Sequence, residues 1–167
     1  MKKMTEEFLK GALAGESQAH VKYAAFAVKA EEESLPNVAR LFRANSFAEQ
    51  IHATNHLRTL GGIGRTAENL DGAIGGETFE VAEMYDVYKV AAEHQGEKGA
   101  VLMFHRAMEA EKVHAVLYKK AKEAVTKGQD LAPVSIHVCR VCGFTMDGNA
   151  PDSCPLCGVS KDKFTTF

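Results

Sequence analysis

Tryptophan is absent from this 167-residue chain, and proline is nearly so. Only Pro36 precedes residue 133; Pro133, Pro151 and Pro155 follow it. So long a stretch with a single proline argues against turn-rich β architecture and leaves room for long helices. Cysteine is missing before residue 139, so no disulfide framework holds the larger part of the chain. Charge is nearly balanced, at −2, and without a basic run nucleic acid has no electrostatic hold. No apolar run approaches the ~18 residues that a membrane-spanning helix needs. The start, Met1-Lys2-Lys3-Met4-Thr5-Glu6-Glu7, has no apolar segment behind its lysines, against a signal peptide. These absences predict a cytoplasmic protein with neither nucleic acid nor membrane as partner.

What is present changes character near residue 127. Upstream, alanine, glutamate, lysine and leucine dominate; downstream come glycines, prolines and short alternating apolar runs. The expected organisation is a helical domain over 1–127, a linker over 128–133 and a cysteine-rich domain over 134–167. Apolar residues recur at spacings of three and four in four segments. They predict helices over about Thr5–Glu32, from Pro36 to the stop at Gly61-Gly62, over Leu70–His94 and over Glu97–Val125. Gly72, Gly75 and Gly76 weaken the third helix at its start. Short links join the first and second helices and the third and fourth, which implies two antiparallel hairpins of a four-helix bundle. The Gly61–Asn69 connection between hairpins is longer.

Five glutamates sit on or beside the apolar stripes: Glu16, Glu49, Glu77, Glu80 and Glu111. Two of them open a Glu-x-x-His pair, Glu49 with His52 and Glu111 with His114. Residues three apart share a helix face. Buried carboxylates without cationic partners are costly, and no lysine or arginine lies on those stripes. Two divalent ions bring four positive charges and two trivalent ions six, which bracket the five negative ones. Oxygen-rich ligation with one imidazole per metal suits iron or manganese. His20 and His56, one turn from these ligands, are read as hydrogen-bonded core residues, and His94, His105 and His137 as solvent-facing. Tyr23 and Tyr85 lie where they can hydrogen-bond ligand carboxylates or simply fill core.

The tail holds Cys139-x-x-Cys142-Gly143 and Cys154-x-x-Cys157-Gly158. Two thiolates from each hairpin can reach one tetrahedral ion, and the glycines permit left-handed turns that aim N–H groups at sulfur. The spacing leaves zinc and iron both open.

Taken together, these residues resemble the rubrerythrin family over essentially the whole chain. The bundle resemblance rests on Glu16, Glu49-x-x-His52, Gly76-Glu77-x-x-Glu80-x-x-x-Met84-Tyr85 and Glu111-x-x-His114. The tail is similar to rubredoxin through Cys139-x-x-Cys142-Gly143-Phe144, Ala150-Pro151-x-x-Cys154-Pro155-x-Cys157-Gly158 and Lys161-x-Lys163-Phe164. Asp86 departs from the proline that relatives often carry there, without touching a ligand. The resemblance implies a mainly α, ferritin-like antiparallel four-helix bundle with a small C-terminal rubredoxin-like domain of β-hairpin, zinc-ribbon-like build. It implies two iron ions in the bundle and one in the tetracysteine site. By the same resemblance Glu49 and Glu111 bridge the irons, Glu16 binds the first, and Glu80 with His114 the second. Glu77 and His52 would then alternate on the first iron, with Tyr23 and Tyr85 nearby.

The activity so implied is reduction of hydrogen peroxide to water in oxidative-stress defence. Electrons would come from an NAD(P)H-linked donor protein of the rubredoxin or rubredoxin-reductase type. A homodimer or higher homo-oligomer is implied, with the tail reaching the partner's cluster and helical hairpins exchanged in some relatives. Two alternatives compete: a ferroxidase or oxygen-reducing ferritin-like protein, and a helical scaffold with a structural zinc ribbon. The first gives no reason for an attached one-electron carrier, and the second none for carboxylates on apolar stripes.

Overall fold

Helix α1 (Lys3–Glu32) and helix α2 (Pro36–Thr59) form the first hairpin. Its turn is closed at Ser34, which takes a left-handed φ of 59°, while Leu35 N–H reaches back to Ala30 O at 2.8 Å. Pro36 sits in the first turn of α2, where its missing N–H costs nothing. The side chains buried between the two helices are small: Ala27, Ala30, Ala39, Ser46 and Ala53. Small residues let helix backbones approach closely. Gly61, at φ +73°, ends the hairpin.

In the computed structural model, which describes residues 1–167, the chain divides into two compact units, Met1–Gly64 and Arg65–Phe167. The second begins with α3 (Thr66–Phe79), passes through a π turn (Glu80–Met84) into α4 (Tyr85–Gln95), and returns as α5 (Lys98–Thr126). Helix α3 starts earlier than the predicted Leu70. Arg65 N–H donates to Glu68 Oε2 at 2.7 Å, and Lys122 Nζ on α5 donates to Ala67 O at 2.8 Å. Those bonds hold a first turn that glycines alone would leave weak. The turn after α4 repeats that after α1: Gly96 is left-handed at +74°, and Glu97 N–H bonds Ala92 O at 2.9 Å.

The tail is a three-stranded antiparallel sheet ordered β2–β1–β3, from β1 (Ile136–Cys139), β2 (Thr145–Asp147) and β3 (Phe164–Thr166). His137 and Cys139 alternate inward on β1. His137 therefore does not face solvent as expected. It is buried and bonds Thr166 Oγ1 and Gly148 O, each at 2.9 Å, fastening β3 and the β2 turn to β1.

The sheet packs on α5 of its own chain through β2, with Lys120 paired to Asp147. The linker is long enough to allow this. His114 is twelve residues back from Thr126, a distance of about 18 Å along a helix, whereas even seven extended residues span about 23 Å.

Candidate metal centres

In the first unit, α1 supplies Glu16 and α2 supplies Glu49 and His52. Their ligand atoms lie within 4.8 Å of one another. His52 Nδ1 is 2.9 Å from Glu49 Oε2 and 3.9 Å from Glu16 Oε1. The contact with His52, and next that with Glu16, holds the Glu49 carboxyl below its ordinary range.

In the second unit, α3 supplies Glu77, and α5 supplies Glu111 and His114, again with ligand atoms within 4.8 Å. Here crowding dominates. Burial and then the neighbouring Glu111 raise the Glu77 carboxyl to about 7. Burial, then Glu111, raise Glu80 as well. Burial followed by the charges of Glu80, Glu111 and Glu77 raises the Tyr85 phenol above its usual range. Such carboxylates, gathered with an imidazole and no ammonium or guanidinium, fit cation ligation by chemistry and by spacing.

The two triads correspond. Tyr23 packs against Phe26 and Phe42 in the first unit, as Tyr85 packs against Tyr88 and Phe104 in the second. Seven residues after each phenylalanine comes the Glu of a Glu-x-x-His pair. The counterpart of Glu16 is then Glu77. Glu80, expected beside His114, stands outside the triad, and its counterpart in the first unit is Ala19. Sequence reading missed the π turn responsible, a feature common at functional sites. Of the neighbouring histidines, His20 bonds Ser46 through Nδ1, and His94 and His105 are exposed as expected.

The four cysteines converge in the tail. Cys139 and Cys157 sulfurs are 3.7 Å apart, and Cys142 and Cys154 3.6 Å. These are no disulfide distances. A tetrahedron with metal–sulfur bonds of ~2.3 Å has edges of about 3.8 Å, so one ion fits. The two knuckles are alike. Cys139 N–H bonds Phe144 O and Gly143 N–H bonds Cys139 O, as Cys154 N–H bonds Val159 O and Gly158 N–H bonds Cys154 O. Gly143 and Gly158 take φ of +77° and +75°. Burial pushes the Cys139 thiol up, but the N–H groups of Val141 and Cys142 and the sulfurs of Cys142 and Cys157 together outweigh it and bring it to about 7. Burial raises Cys142 and Cys157. As thiolates, the four sulfurs at these distances would need a cation among them.

Comparison with known proteins accords with both centres. The family profile described as Rubrerythrin matches residues 7–122, and that described as Rubrerythrin, rubredoxin-like domain matches 137–165. Rubrerythrin-2 of Clostridium acetobutylicum is 40% identical, covering 98% of this chain and 97% of that protein. Nigerythrin of Nitratidesulfovibrio vulgaris is 34% identical over 98% of this chain and 86% of its own length. A solved structure of nigerythrin in its fully reduced, all-ferrous state has a TM-score of 0.59 at 33% identity, covering 98% of this chain and 86% of that one. The Glu and His residues are those of a di-iron carboxylate site, and the cysteines form the cluster for a rubredoxin-like iron. With both domains matched in order along its length, the chain belongs to the rubrerythrin family.

Proposed function

We propose that this iron oxidoreductase reduces hydrogen peroxide to water, with electrons entering through the tetracysteine iron. One observation carries the reading: the sheet holding the cysteines packs against α5, and its Thr145 hydrogen-bonds the di-iron ligand His114. A ferroxidase has no use for a one-electron carrier at that place. The nigerythrin structures are of all-ferrous and mixed-valence states, which supports iron as the metal.

When bound, two ferrous ions supply the two electrons for O–O cleavage, and the tail iron restores them singly. Peroxide, two electrons and two protons then give two waters. Glu49 and Glu111 would be the ligands shared by the irons, with Glu16 serving one and Glu77 with His114 the other. This exchanges the roles first expected of Glu77 and Glu80. Glu80, which has no carboxylate counterpart, and the exposed His52 would be the exchangeable pair of ligands. Tyr85, kept protonated by burial and by the charges of Glu80, Glu111 and Glu77, would have a hydrogen to donate toward Glu80. Tyr23 is its counterpart.

The functional division is 1–127 for di-iron chemistry and 134–167 for electron entry, joined by 128–133. The donor is a rubredoxin or rubredoxin-reductase type of protein in the cytoplasm. Stripe residues Phe8, Leu41, Tyr88 and Tyr118 are exposed in the single chain, which supports assembly into a homodimer or higher oligomer.

The test is an anaerobic titration of reduced protein with hydrogen peroxide and, separately, dioxygen. Peroxide should oxidise it faster, and Glu49→Ala or Glu111→Ala should abolish the reaction. Faster consumption of dioxygen would replace this reading with a ferroxidase.

A further inference from the structure

Thr145 is the first residue of β2, and its hydroxyl stands between the two metal centres of the second unit. His114 Nε2 lies 2.8 Å from Thr145 Oγ1, and that oxygen lies 3.0 Å from Gly143 O. A threonine hydroxyl has one hydrogen, and a carbonyl can only accept. When Nδ1 holds a metal the ring's proton is on Nε2, and Thr145 then accepts from Nε2–H and donates its own hydrogen to Gly143 O. Nδ1 is the atom that hydrogen-bonds Glu111, so a metal there takes the place of the proton shared between them. A hydroxyl that accepts at Nε2 favours the tautomer that leaves Nδ1 to a metal.

The bond also has an address at its far end. Gly143 directly follows Cys142, whose sulfur receives the N–H of Phe144. Two hydrogen bonds thus connect a di-iron ligand to the backbone of a cysteine knuckle. The first unit has no such device. His52 makes its contacts only through Nδ1, to Glu49 and Glu16, and its side chain is 55% exposed against 25% for His114. A merely structural Thr145 would need only the ladder between β2 and β1, where it pairs with Val138. That ladder gives its hydroxyl no reason to meet an imidazole on another element.

We propose that Thr145 is a positioning residue, holding His114 as an Nδ1 ligand and tying it to the cysteine knuckle through Gly143. The proposal rests on His114 being a ligand of the di-iron site, and not on which oxidant that site reduces.

The experiment is nitrogen-15 histidine NMR on the full-length protein loaded with zinc in all sites, which keeps it diamagnetic. Wild type should bind zinc through His114 Nδ1 and show a downfield, slowly exchanging Nε2–H. In Thr145→Val that proton should move upfield and exchange with water roughly tenfold faster, the factor that matches loss of one hydrogen bond. Thr145→Ser should restore it. An unchanged shift and exchange rate in Thr145→Val overturns the proposal. Wild type alone can also overturn it, by carrying the proton on Nδ1 or by exchanging Nε2–H as fast as free imidazole, so misfolding of a variant leaves it exposed. Loss of the peroxidase reading with these signals intact would still support the role given to Thr145.

Discussion

Glu77 lies eight residues before Tyr85, whereas Glu16 lies seven before Tyr23, and the π turn Glu80–Met84 takes up the extra residue. A π turn inserts one residue without breaking the helix. Both tyrosines can then keep equivalent aromatic neighbours while both glutamates keep equivalent places in their triads. The cost of the insertion is a poorer hydrogen-bond ladder; Glu80 opens it, one turn on from Glu77 and close enough to feel Glu111.

The two acids should therefore answer differently to removal. Glu77→Ala is expected to lower bundle iron from two ions to one, because it takes away a member of a triad. Glu80→Ala should keep both ions and slow peroxide turnover roughly 10–100-fold, the usual range for losing a supporting ligand. Iron analysis beside single-turnover kinetics separates the two; equal iron loss in both variants would reject the division of roles.

In metal-free protein, stability should fall as pH rises from about 5 to 7. Glu77 has its folded carboxyl near 7 against 4.5 unfolded, and Glu80 is raised in the same direction. Across that window the folded state holds more protons than the unfolded one, so each step up in pH favours unfolding. The effect is on the order of 1–3 kcal/mol. Glu49 is shifted downward and acts only below the window, and Cys139, lowered toward 7, acts above it with opposite sign. Thermal melts at pH 5.5 and 7 measure the slope. Added ferrous or zinc ion should flatten it, since a cation replaces the proton.

Much of this was legible because helices of this length repeat their apolar spacing many times. The stripes place Glu16 and Glu49 on the apolar faces of one hairpin, and Glu77 and Glu111 on those of the other, without coordinates. The π turn was hidden, since one extra residue becomes visible only when the hairpins are aligned on Tyr23 and Tyr85. His137 was misread because a four-residue strand offers too little alternation to reveal which side is covered. Thr145 carried no sequence signal at all: its bond to His114 exists only because the tail lies along α5, a tertiary fact.

Gly143→Ala should cost about 1–2 kcal/mol, the penalty of a left-handed backbone for a residue with a Cβ. No atom lies within 4 Å of where that Cβ would go, so the backbone alone is at issue. The expected sign is faster loss of tail metal to a chelator, with helical circular dichroism unchanged. Gly61→Ala is the matched control. It is equally left-handed with equally open surroundings, but it lies between the helical hairpins and should leave chelation of tail metal untouched.

Cys154→Ser tests the division of labour between the two irons. Cys154 is only 2% exposed, and its sulfur is 3.6 Å from that of Cys142, so its loss opens the tetrahedron from inside. Steady turnover driven through a donor protein should stop, because electrons enter there. The bundle keeps every carboxylate and histidine it had. Reduced chemically, it should still consume one equivalent of peroxide per di-iron site at close to the wild-type rate. Were that single event also lost with the bundle iron still bound, the tail would have to take part in cleavage itself, and electron entry could not be its whole role.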